Sequence, residues 1–91
     1  MLQPMTDPER LSFPCDYPIK VMLRAGEEPR MHVDAVMARH AGAAVIDAAT
    51  TRPSAQGNFS AVTYTIRARD AAQIAALYTD LKDIPGVLMV L

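Results

Sequence analysis

From Tyr17 to Arg24 apolar and polar residues alternate, with Ile19, Val21 and Leu23 on one side and Lys20, Met22 and Arg24 on the other. That period of two predicts a strand buried on one face. The segment Ala25 to Pro29 breaks the pattern, and Pro29 falls where the first turn of a helix tolerates a missing N–H. Val33, Val36, Met37 and His40 then recur at helical spacing, which predicts a helix to about Ala41 with Gly42 as its stop. Ala43 to Thr51 reads as a second strand, rich in alanine, with Val45 and Ile46 supplying its bulk. Arg52 to Asn58 has turn chemistry throughout, and Phe59 to Ala68 is dense in β-branched and aromatic residues. In this third strand Val62, Tyr64 and Ile66 share one side, opposite Phe59, Ala61, Thr63, Thr65 and Arg67.

Asp70 followed by Gln73 has the spacing of a capping box, and Ile74, Leu77, Tyr78 and Leu81 continue as a helical stripe. Ile84-Pro85-Gly86 ends that helix and Val87 to Leu91 forms a last short strand. The order is that of an α+β, ferredoxin-like βαββαβ sandwich: a four-stranded antiparallel sheet in order 4-1-3-2 with two helices on one face. The predicted core takes Ile19, Val21 and Leu23 from the first strand, Val33, Val36 and Met37 from the first helix, and Val62, Tyr64 and Ile66 from the third strand. Ile74, Leu77 and Leu81 complete it from the second helix. Residues 1–12 are expected to be a flexible arm and 13–91 a single domain.

Composition narrows the function. A chain of 91 residues has room for one thin core, and with two Phe, three Tyr and no Trp a deep active-site cavity is hard to build. Nine Lys and Arg against ten Asp and Glu leave a formal net charge of −1, which disfavours nucleic acid and anionic membranes as bulk partners. One cysteine forms no internal disulfide, so a cytoplasmic location is expected. No apolar run reaches the roughly 18 residues of a membrane span, and the first ten residues lack the apolar stretch of a signal peptide.

Catalytic chemistry is sparse. Cys15 has Asp16 beside it and no neighbouring cation to stabilise a thiolate, so it reads as a small hydrophobe at the strand start, with a redox role left as the minor alternative. His40 lies on the apolar stripe at a helix C-terminus and His32 lies off it; with Cys15 they lack metal-ligand spacing. Ser54 and Ser60 have no nucleophile-elbow sequence, and Gly26 and Gly57 are isolated turn glycines. No catalytic residue, metal or cofactor is assigned, and the chain is expected to bind and not to catalyse.

Three stretches carry a family resemblance. Phe13-Pro14-Cys15-Asp16-Tyr17-Pro18-Ile19-Lys20-Val21-Met22 resembles the opening of the YbeD-like family of small bacterial uncharacterised proteins. Gly57-Asn58-Phe59-Ser60-Ala61-Val62-Thr63 resembles its entry to the third strand, and Pro85-Gly86-Val87 with Val90-Leu91 its ending. The resemblance implies a ferredoxin-like fold similar to the ACT regulatory domains, no established enzymatic activity, and a link to lipoate metabolism through gene neighbourhood.

Strand parity leaves one sheet face uncovered. Lys20, Met22 and Arg24 from the first strand and Phe59, Thr63, Thr65 and Arg67 from the third are expected to share it. An ordinary solvated face is the bland alternative. Met and Phe among cations fit a surface for a protein partner, a small metabolite or a second copy of the chain. RNA binding on such a face is the competing reading, weakened by Thr63 and Thr65 where stacking aromatics are needed. The expected function is a regulatory or adaptor module.

Overall fold

The computed structural model describes residues 12–91, so most of the expected N-terminal arm lies outside the described residues. Strand β1 (Cys15–Arg24) and strand β3 (Phe59–Ala68) pair antiparallel along their whole length, from Cys15 opposite Ala68 to Arg24 opposite Phe59. Short strands flank them: β2 (Thr50–Pro53) beside β3 and β4 (Val87–Val90) beside β1, in the order β2-β3-β1-β4. This is the expected antiparallel arrangement. Helices α1 (Glu27–Ala41) and α3 (Ala71–Lys82) supply Val33, Val36, Met37, Ile74, Leu77 and Leu81 to the core over the inner face. Every residue predicted for the core is buried, joined by Tyr17, Val45 and Ala68.

One element differs from expectation. The predicted second strand over 43–51 is instead a helical turn, α2 (Ala44–Asp47), followed by the shorter β2. Alanine is the best helix former and a poor strand former, and one turn suffices to bury Val45. The strand therefore begins at the β-branched pair Thr50-Thr51 and runs through Arg52 and Pro53, which read as turn residues. The turn is tighter than predicted, with the Ser54 N–H donating to the Phe59 carbonyl at 2.8 Å and the Gly57 N–H to the Ser54 carbonyl at 3.0 Å.

Pro18 stands inside a central strand, where a missing N–H normally costs a ladder bond. Here it costs none. The Lys20 N–H and carbonyl exchange bonds with Leu91 at 3.1 and 2.8 Å, and Pro18, two residues back, points to the same edge beyond the reach of β4. Gly86 also has a fixed role: at φ +95 its carbonyl accepts from the Arg24 N–H at 2.8 Å, and an added Cβ would meet Pro29 at 3.1 Å.

Two polar networks align the helices. The Tyr64 hydroxyl donates to Asp34 Oδ1 at 2.6 Å; Arg30 Nε donates to the same oxygen at 2.9 Å and Arg30 Nη1 to Thr51 Oγ1 at 2.9 Å. This chain ties α1 to β3 and to the edge strand β2. Burial, then the hydrogen bond to Asp34, pushes the Tyr64 phenol above its ordinary range, so it remains a neutral donor. At the other end Asp70 caps α3 by accepting from the Gln73 N–H at 2.8 Å, as predicted. The Gln73 carboxamide does not close the expected box on Asp70. It accepts from the Arg69 N–H at 2.6 Å and donates to the His40 carbonyl at 2.9 Å, fastening the start of α3 to the end of α1. His40, expected to serve the helix terminus, also meets Asp80 at 2.6 Å, with Arg39 at 3.2 Å from the same carboxylate.

The core assignment predicts that Leu77→Ala lowers unfolding free energy by about 2–5 kcal/mol. A loss below about half a kcal/mol in urea denaturation would contradict it. Bonds from His40, then Arg39, hold the Asp80 carboxyl below its ordinary value, so its contribution is complete above the unfolded pKa and fades as pH falls through the folded one. The stability difference between wild type and Asp80→Asn should therefore shrink as pH falls from about 5 to about 2. A difference that grows on acidification would oppose that sign.

Candidate functional site

Because β1 and β3 are in fixed register, the outward residues form rows across the sheet. Arg67 faces Asp16, Thr65 faces Pro18, and Phe59 faces Arg24. Between these lie two rows that span all four strands. One runs Thr50, Thr63, Lys20, Leu91, and the next runs Arg52, Ala61, Met22, Met89. All seven residues predicted for this face are on it. The structure adds Thr50 and Arg52 from β2, Met89 from β4 and Leu91 just beyond its end. Sequence reading missed them because Arg52 sat in an apparent turn and because a four-residue strand shows little alternation. For Thr50 and Arg52 the signal was the β-branched pair Thr50-Thr51, which marks the start of the edge strand.

The predicted set is not uniform in role. Arg67 is occupied by Asp16, with Nη1 and Oδ1 3.3 Å apart, and this exposed pair closes one end of the face. Lys20, Arg24 and Arg52 make no side-chain hydrogen bond or ion pair among the described residues. The apolar members are partly open: Phe59 is 40% exposed, Met89 51% and Leu91 48%. A β-bulge in the β1–β4 ladder also turns Leu88 outward.

Two hollows adjoin on this face and differ in character. One, of about 320 Å³, is lined by Lys20, Arg52, Thr50, Thr51, Thr63 and Ala61, with no carboxylate among the described residues. The other, of about 200 Å³, is lined largely by apolar atoms of Met22, Phe59, Pro53 and Ala61, with Arg52, Ser54 and Ser60 at its margin. Arg52 and Ala61 belong to both.

Charge is divided between the two sides of the domain. Among the described residues, Lys20, Arg24, Arg52 and Arg67 stand on the sheet face against one carboxylate, Asp16. The helices and their loops hold Arg30, Arg39, Arg69 and Lys82 against Glu27, Glu28, Asp34, Asp47, Asp70, Asp80 and Asp83. The described residues of this nearly neutral chain thus form a cationic face and an acidic back.

The cysteine and histidine candidates lie off this face. Cys15 is a free, partly buried thiol packed against the core. No group of three or more His, Cys, Asp or Glu side chains among the described residues is arranged to hold a metal ion. His40 is engaged by Asp80, while His32 lies 3.9 Å from Glu28 on the exposed side of α1. No helix among the described residues is long and apolar enough to cross a membrane.

Comparison with known proteins agrees with this architecture. Residues 8–91 match the family described as "Protein of unknown function (DUF493)". The chain belongs to this family. A UPF0250 protein of Pseudomonas aeruginosa is 37% identical over 89 residues, covering 97% of this chain and 96% of that one. One from Vibrio cholerae is 40% identical over 81 residues, covering 89% and 86%. The YbeD-like resemblance of the three motifs fits this membership. Among solved structures, an uncharacterized protein from Thermotoga maritima superposes with a TM-score of 0.61 at 16% identity, covering 84% of this chain and 92% of that one, a likeness of fold alone.

Parity makes neighbouring residues opposite in consequence. Val21→Glu would bury an unpaired carboxylate and should unfold the domain, whereas Met22→Glu should shift stability by less than about 1 kcal/mol. Circular dichroism with urea titration distinguishes them, and equal damage from both would mean that the outer face is covered.

Proposed function

We propose that this protein is a non-enzymatic regulatory or adaptor module of the cytoplasm that docks a protein partner on its open sheet face. The observation that carries the reading is the row Ala61–Met22–Met89 beside Phe59 and Leu91, flanked by cations that have no partner among the described residues. Apolar side chains at outward strand positions gain nothing from water, and cations among them orient a partner more than they strengthen its binding. A small acidic metabolite is the second reading, favoured by the threonine-lined hollow of about 320 Å³ between Lys20 and Arg52. Like charge opposes a dimer that places two sheet faces together. Nucleic acid is disfavoured because Phe59 is the one aromatic on the described face. The lipoate link implied by the family resemblance makes that pathway the first place to look for a partner.

The test compares capture from native cytoplasm by wild type, Met22→Glu and the back-face variant Lys82→Glu. The same partner should be retained by wild type and Lys82→Glu and lost by Met22→Glu, with unfolding midpoints unchanged. Equal capture by all three would leave only a solvated face. For the metabolite reading, a thermal shift with amino acids or lipoyl compounds that disappears in Lys20→Gln would count in its favour.

A further inference from the structure

Resting on the reading of the sheet face as a docking surface, we infer that its occupant is an acidic amphipathic helix of a partner protein, with carboxylates over Lys20 and Arg52 and an apolar side chain beside Phe59. The polar and apolar hollows share Arg52 and Ala61, so an occupant must present opposite characters side by side. A helix does this naturally, since residues three or four apart lie together while the next stripe around the cylinder differs. The span also fits: four strands about 4.8 Å apart make a face about 14 Å across, and a helix with its side chains is about 10–12 Å wide.

Carboxylates are selected by three features. Lys20 and Arg52 have no partner among the described residues, no described acidic side chain lines either hollow, and every described acid except Asp16 lies on the helical side. Guanidinium and threonine hydroxyl groups together offer the fork and the lateral donors that a carboxylate accepts. A nucleic-acid backbone would satisfy the cations but leave Met22, Met89 and Leu91 against a charged strand. A second copy that turned its own sheet face to this one would bring the same cations and be repelled.

The full chain would be titrated into fluorescein-labelled peptides of about 18 residues, five helical turns, carrying a Leu stripe flanked by Glu, and into the same peptide with Gln for Glu. Anisotropy should saturate with the Glu peptide and weaken at least about tenfold with the Gln peptide, with added salt, and with Lys20→Glu/Arg52→Glu. The variant Arg69→Glu/Lys82→Glu has the same net charge and should bind like wild type. Thermal unfolding of each variant checks that it is folded. Equal binding of the Gln peptide, equal binding by both double variants, binding of neither peptide, or displacement by single-stranded RNA at lower concentration would each overturn the acidic helix. If the Gln peptide binds equally and Met22→Glu abolishes it, the docking face stands while its acidic occupant falls. If Met22→Glu changes nothing, both fall.

Discussion

The ten-residue ladder between β1 and β3 is the constraint from which the rest of the molecule follows. A strand has period two, so this one register sends Tyr17, Ile19, Val21 and Leu23 inward together with Val62, Tyr64 and Ile66. Slipping it by one residue would expose all of them and bury Lys20, Arg24 and Arg67. The helices cover whatever the ladder turns inward, and the Tyr64–Asp34 bond sets α1 against β3. The outer face is under no such demand. Packing dictates that its residues point away from the core, not that Met22, Met89 and Leu91 lie beside Lys20 and Arg52. The proposed occupant would account for that composition.

Long, one-sided elements were legible in the sequence because burial of one face imposes a period that local chemistry does not disturb. The alternation in Tyr17 to Arg24 and the stripe Ile74, Leu77 and Leu81 identify strand, helix and core residue alike. Short elements were less legible. Ala43 to Ala49 carries helix propensity without a stripe long enough to reveal it, so α2 emerges only because Val45 finds the core. Arg52-Pro53 reads as a turn until its pairing with Ala61 and Ser60 makes it an edge strand.

The candidate site was legible on its two central strands and hidden on its two edges for the same reason. The central strands announce their outer residues through alternation, whereas Thr50, Arg52, Met89 and Leu91 join the face through pairing partners far away in sequence. The polar hollow needs Arg52 as well as Lys20, so its existence was beyond sequence reading. The charge division is likewise tertiary: a net charge of −1 conceals a cationic front and an acidic back among the described residues.

The central claim is that the sheet face, and not the helical side, receives the partner. Four methionines report on it directly: Met22 and Met89 on the sheet face, Met31 exposed on α1, and Met37 in the core. Methyl NMR of the labelled protein with the acidic peptide or a captured partner follows all four at once. The account predicts that the Met22 and Met89 methyl signals shift or broaden at saturation while those of Met31 and Met37 hold their positions. Movement of Met31 with Met22 and Met89 unchanged would contradict it.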